Sequence, residues 1–192
     1  MRIDYWKTVN NIDPETSVFL DETGINLALV RQYGRALKGC RAYGKRPYSK
    51  GKNITVIGAI ALKGFLGAMT VEGGTNGEVF RTYLQQILLP NLWPGACVIM
   101  DNLSTHKVRG IRELIESVGA RVIYLSPYSP EFNPIENCWS KLKEFLRSVA
   151  PRCREAVESS IAIALEELIT LQDIRNWFAH CCYCTTPNIR LL

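Results

Sequence analysis

The sequence predicts an α/β domain: a mixed five-stranded sheet, an antiparallel hairpin joined to parallel strands, flanked by helices. Three observations predict it. Short apolar runs of strand length recur, amphipathic stretches of helix period alternate with the later ones, and one pair of runs is joined by a tight turn. The 192 residues suffice for one domain with a buried core, and 47% hydrophobic against 21% charged residues excludes a disordered or membrane chain.

"SVFLDE" (17–22), an apolar run ending in acids, reads as a buried strand. "NITVIGAIAL" (53–62), a Lys63-Gly64 turn and "FLGAMTVEG" (65–73) read as a β-hairpin. A helix follows in "TNGEVFRTYLQQILLP": Thr75 and Glu78 have capping-box spacing, Val79, Phe80, Tyr83, Leu84 and Ile87 share a face, and Pro90 stops it. "ACVIMDN" (96–102) repeats the first strand's pattern. Val108, Ile111, Leu114, Ile115 and Val118 outline a second helix ending near Gly119, and "RVIYLS" (121–126) is the fifth strand. Helices follow over about 134–149, 153–169 and 171–183. Each strand, helix, strand passage implies a right-handed crossover and parallel pairing. The domain is read as 17–192, with 1–16 leading into it.

No apolar run is long enough to cross a bilayer, and "MRIDYWKTVN" lacks the apolar centre of a signal peptide. Seven cysteines, an odd number without framework spacing, read as reduced thiols in a cytoplasmic protein. In "HCCYC" (180–184) His180, Cys181 and Cys182 adjoin, whereas zinc ligands are usually set two to four residues apart, so these thiols are read as packing groups.

The formal charge is +5, and its placement matters more than its size. Arg31, Arg35, Lys38, Arg41, Lys45, Arg46, Lys50 and Lys52 follow one another with no acid between them, interleaved with Tyr33, Tyr43 and Tyr48. Such a segment suits the tracking of phosphates, although a solvated loop has the same composition.

Two apolar strands deliver an Asp to their carboxyl ends, Asp21 and Asp101, the edge where open α/β sheets bind ligands. On neighbouring strands the two carboxylates converge, repel, and call for a hard cation such as magnesium or manganese. Taken singly, either Asp is as well read as a turn or cap residue. Glu22 points to the opposite face from Asp21, so only one of them can look toward Asp101, and Asp21 ends the apolar run. In "PYSPEFNPIEN" Asn133 is a good N-cap, Pro134 fits the first helical position, and Glu136 falls third. Glu136 is therefore equally a capping-box partner for Asn133 or a third metal carboxylate.

"FLDETG", "IMDNLSTH" and "LSPYSPEFNPIENCWSKLK" resemble the catalytic domain of the DDE transposases of the Tc/mariner superfamily, especially its bacterial insertion-sequence branch. Thirty-four residues, 102 to 135, separate Asp101 from Glu136, the spacing typical of that superfamily. The resemblance favours the metal reading of Glu136. It implies a ribonuclease-H-like fold, with Asp21, Asp101 and Glu136 holding two magnesium or manganese ions. It also implies the reaction, cleavage of DNA at transposon ends and joining of the freed 3′ hydroxyl to target DNA, with a homodimer formed on the DNA.

Asn102 and His106 match the family's "DN…H" stretch as contacts to phosphate or to the metal carboxylates, with Asn137 a further candidate; Trp139 reads as core. The resemblance also implies a helix-turn-helix part for recognising ends. This chain is expected to lack it, and a separate or frameshift-fused N-terminal part would supply it. The expected place of action is the bacterial nucleoid. Two other readings keep the same fold: a nuclease on hybrids or junctions, and a DNA-binding remnant without turnover.

Overall fold

The structure, a computed structural model, describes residues 12–126 and 129–183. Most of the lead-in, Pro127 and Tyr128 of the "PYSPEFNPIEN" stretch and Cys184 of the terminal cluster lie outside the described residues.

Five strands form one sheet in the order β3-β2-β1-β4-β5. They are β1 (Ser17–Ile25), β2 (Ile54–Ala61), β3 (Gly64–Glu72), β4 (Cys97–Met100) and β5 (Arg121–Tyr124). The first three pair antiparallel, whereas β4 joins β1 and β5 joins β4 in parallel. This is the mixed sheet that the sequence predicts. The hairpin turn falls on Leu62 and Lys63, one residue earlier than expected, because Gly64 opens β3 in a left-handed conformation at φ +137.

Period-two alternation divides the strands' side chains between two cores. Phe19, Ile60, Cys97 and Ile99 face a layer made of α3 (Pro134–Val149), α4 (Arg154–Ile163) and α5 (Leu171–His180). On the other face Val18, Leu20, Ile57, Val98 and Met100 meet α1 (Gly77–Tyr83) and α2 (Ile111–Glu116). The sheet is thus covered on both sides, which is why β2 is buried along its whole length.

Three helices depart from the sequence reading in their details. The cap of α1 is Asn76, whose side chain accepts from the backbone N–H groups of Glu78 and Val79; Thr75 does not cap, and its hydroxyl is buried without a partner. Both α1 and α4 widen into a π turn at their ends, over Leu84–Leu88 and Ala164–Leu168. The second helix is shorter than its apolar period suggests: Ser104–Lys107 is a 3-10 turn, and Gly110 at φ +92 separates it from α2. Val108 lies between the two and is exposed.

Helix α5 begins with a capping box between Thr170 and Asp173, and Asp173 also receives Lys141 of α3 at 2.7 Å. It ends at His180, where Cys181 turns inward beneath α3 and Cys182 points outward. The six described cysteines are free thiols. No helix among the described residues is long and apolar enough to cross a membrane.

Between β1 and β2 the chain runs from Asn26 to Asn53 without regular helix or strand. Leu27 N donates to Lys50 O at 2.9 Å, closing the root of this arm. Arg152 braces the root by donating to Leu27 O and Leu29 O at 2.7 and 3.1 Å. Beyond the root Tyr33, Leu37, Tyr43 and Tyr48 are almost wholly exposed.

Candidate active site

Leu20 of β1 stands opposite Met100 of β4, so the next residue of each chain, Asp21 and Asp101, arrives at the same level. On its other side Asp21 is registered with Gly58 of β2. A Cβ at Gly58 would come within 2.8 Å of Phe65 and Trp139. That hollow lets the Trp139 ring, fully buried on α3, settle onto the sheet beside Asp21. Glu136 lies one turn earlier on the same helix, so the seating of Trp139 brings its carboxylate to the two Asp residues.

Asp21, Asp101, Asn102, Ser126, Asn133 and Glu136 line one cleft of about 490 Å³. The three predicted acids therefore meet at one place. Burial and then the facing Glu136 carboxylate push the pKa of Asp21 up from 3.8 to about 7. Burial likewise raises Glu136, with Asp101 adding to the effect and Lys143 opposing it. These are carboxylates whose charge burial and one another's presence oppose.

The capping box foreseen for Asn133 and Glu136 does not form. Asn133 occupies the N-cap position, but its side chain makes no cap hydrogen bond. Instead Nδ2 donates to Asp21 Oδ2 at 3.3 Å, while Oδ1 is buried with no partner. Only the backbone caps here, Glu136 N donating to Asn133 O at 3.1 Å. The Glu136 side chain is left to the cleft.

Glu22 points away from Asp21, as strand alternation requires, and meets His106. His106 is wholly buried, with Nδ1 2.7 Å from Asp101 Oδ1, Nε2 3.3 Å from Glu22 Oε1, and its ring 4.3 Å from that of Phe80. Burial works against its charge, but the hydrogen bonds to Asp101 and Glu22 win and raise its pKa to about 9. The sequence marks His106 as a candidate but carries no sign of Glu22 as its partner, since the two lie 84 residues apart.

Asn102 lines the cleft. Asn137 does not: its Nδ2 lies 3.9 Å from the Cys181 sulfur, on the side facing α5. The predicted phosphate-tracking residues Arg31, Arg35, Lys38, Arg41, Lys45, Arg46, Lys50 and Lys52 all lie on the arm. Lys52 alone among them has an ion pair described, with Glu72. Near the arm's root Arg31 and Tyr33 share a groove with Ser140, Glu144 and Arg147 of α3, the helix that carries Glu136.

Among the described residues no three acidic, histidine or cysteine side chains stand close enough to make a ready metal cage. The three acids suit a different kind of site. Magnesium and manganese keep several waters and are held by one or two carboxylates together with substrate phosphates, so an open cleft with oxygen donors and strained charge fits them.

The sequence profile of the DDE superfamily endonucleases matches residues 16–158. The chain belongs to this family. No curated protein sequence matches it. Among solved structures, the fold of this DDE endonuclease is similar to the Mos1 strand transfer complex, with TM-score 0.71 and 17% identity over 93% of this chain and 55% of that one. It is similar also to the Mos1 mariner paired-end complex with Mg, with TM-score 0.69 and 15% identity over 95% of this chain and 58% of that one. The catalytic domain of Mos1 mariner transposase matches with TM-score 0.62 and 13% identity, over 95% of this chain and 87% of that domain. The chain thus spans little more than half of the longer transposase chains. These likenesses establish the ribonuclease-H-like fold.

Proposed function

We propose that this chain is the catalytic domain of a DNA transposase, cleaving DNA at transposon ends and joining the freed 3′ hydroxyl to target DNA. The observation that carries the reading is the convergence of Asp21, Asp101 and Glu136, from three separate elements, on one cleft of a DDE endonuclease. Support comes from the Mos1 complexes of similar fold, which hold transposon ends and, in two cases, Mn or Mg.

The chemistry is in-line displacement at phosphorus. In cleavage, the oxygen of water bonds to phosphorus as the bond to the 3′ oxygen breaks; the water's proton leaves and the 3′ oxygen becomes a hydroxyl. In joining, the oxygen of that hydroxyl bonds to a phosphorus of the target strand as the bond from that phosphorus to the target's own 3′ oxygen breaks; the attacking hydroxyl's proton leaves, and the displaced 3′ oxygen takes one up. Two bound divalent ions would supply Lewis-acid polarisation of the phosphate and make the attacking oxygen more acidic. Asp21, whose carboxylate feels both Glu136 and Asp101, would hold the ions together with those two acids. Asn133 steadies it, and Asn102 at the rim offers hydrogen bonds to the incoming phosphate. The arm, and Arg31 and Arg147 in the groove at its foot, would hold the DNA backbone through its phosphates.

Residues 17–192 are assigned to the catalytic domain and 1–16 to a lead-in. Recognition of specific ends is assigned to a helix-turn-helix part, separate or fused by frameshifting, and a homodimer forms when two ends are brought together. The reducing bacterial cytoplasm, at the nucleoid, is the compartment that suits the free thiols and the DNA substrate.

The test is strand cleavage and joining on labelled DNA, with the end-recognition part supplied. Asp21→Asn, Asp101→Asn and Glu136→Gln should each abolish both steps while the far-ultraviolet circular dichroism stays unchanged. Hydrolysis without joining by the parent protein would make it a nuclease. Full activity of Glu136→Gln would remove that acid from the site.

A further inference from the structure

We propose that Glu22 is a positioning residue of the active site, fixing the Asp101 carboxylate through His106. The inference rests on the reading of Asp101 as a metal ligand.

Glu22 sits on the face of β1 that carries Val18 and Leu20, amid an apolar core, and its side chain is only 14% exposed. A carboxylate in such surroundings is costly unless partnered. Its described partner is His106, brought there by the 3-10 turn that follows β4. The imidazole lies against Phe80 and is held at both ends, Nε2 by Glu22 and Nδ1 by Asp101. Rotating the ring by half a turn would set carbon atoms against both carboxylates. With an acid at each nitrogen, one ring orientation satisfies both.

Asp101 needs such support because it lies just past the last paired residue of β4. Its Oδ1 receives Leu103 N at 3.1 Å and His106 Nδ1 at 2.7 Å. With Oδ1 engaged twice, Oδ2 is the oxygen left for a ligand in the cleft. The adjacent acids of β1 therefore divide the work: Asp21 faces the cleft directly, and Glu22 reaches the same cleft from behind. A supporting partner of this kind commonly changes metal affinity or activity by about 10- to 100-fold when removed.

The experiment is calorimetric titration of Mn²⁺ into the chain without DNA, for the parent, Glu22→Ala, Glu22→Gln, His106→Phe and the double variant Glu22→Ala/His106→Phe. Glu22→Ala should weaken binding about tenfold. Glu22→Gln, which can still accept from Nε2–H, should hold affinity within about threefold of the parent, since it keeps the hydrogen bond. The double variant should bind no more weakly than His106→Phe alone, because Glu22 acts only through the ring. Parent-like affinity in Glu22→Ala, or additive losses in the double variant, would overturn the proposal.

Asp101→Asn is the control for the underlying reading. Undiminished Mn²⁺ binding there would refute Asp101 as a ligand, whatever Glu22 does. Should the variants fail to fold, nitrogen-15 NMR of the parent decides the matter, since the chain has only two histidines. A slowly exchanging Nε2–H on His106, the hydrogen that faces Glu22, is expected, and a rapidly exchanging or absent one would overturn the proposal.

Discussion

Asn133, at the N-terminus of α3, directs its side chain to Asp21 of β1, 112 residues away in sequence, with Nδ2 3.3 Å from Oδ2. A residue of the type best suited to capping a helix is thus diverted to a carboxylate of the cleft. Asn133→Ala should reduce strand cleavage by about 10- to 100-fold, as loss of a residue supporting a metal ligand does. Asn133→Ser separates the two roles, because Ser caps helices as well as Asn does but is too short to reproduce this reach. Cleavage by Asn133→Ser should fall as it does in Asn133→Ala; parent-level cleavage would return Asn133 to a capping role.

Gly58→Ala should destabilise the protein by about 1–3 kcal/mol, the usual cost of overpacking a core. The added methyl would meet Phe65 and Trp139 at 2.8 Å. Relief requires α3 to lift, which carries Glu136 away from Asp21 and Asp101. Urea unfolding and cleavage measured together check this. Unchanged stability with unchanged cleavage would mean that Trp139 is not what seats the helix.

The pH dependence of stability follows from Asp21 and His106. With its pKa raised to about 7, folded Asp21 keeps a proton that the unfolded chain releases near 3.8. Stability of the metal-free protein should therefore fall as pH rises from about 4 to about 7. His106, raised from 6.5 to about 9, contributes stability that is complete below 6.5 and lost as pH climbs through about 9. Urea midpoints in the presence of a chelator should decline across both windows. Asp21→Asn should flatten the lower one, and an unaltered slope there would contradict the assignment.

Replacing Lys45, Arg46, Lys50 and Lys52 with Ala should weaken binding to DNA of any sequence. The slope of log affinity against log salt should become shallower by roughly 0.9 for each duplex phosphate that is no longer neutralised. Lys52, already paired with Glu72, should contribute least when changed alone. A slope that does not change would leave these side chains as a solvated surface.

The sequence revealed what is encoded locally. Apolar runs reaching Asp21 and Asp101, the hairpin from residue 53 to 73, and the helix opening at Pro134 are all short-range patterns. The hairpin, the helix and the strand before Asp101 are found where expected. Strand β1, by contrast, continues past Asp21 to Ile25, because its pairing with β2 extends that far, so Asp21 lies within the strand and not at its end. The pairing of β1 with β4 was legible only as a condition for the two acids to meet. What the sequence hid depends on partners distant along the chain. Thr75 and Asn76 are both good caps, and only packing decides that Asn76 does the work. The diversion of Asn133 to Asp21, and of Glu22 to His106 across 84 residues, has no local signature at all. The π turns that end α1 and α4 also escaped, since their side chains keep a helical period.

The in-register pairing of β1 with β4 acts as a ruler. Neighbouring strands stand about 4.8 Å apart because peptide hydrogen bonds set that distance, whatever the side chains are. The separation of Asp21 and Asp101 is therefore inherited from backbone geometry, and point substitutions elsewhere cannot recalibrate it. An insertion or deletion inside either strand could, by sliding one acid past the other. Sequences on such a scaffold can drift far while the interval between two carboxylates stays constant, in keeping with a fold shared with Mos1 at 13 to 17% identity.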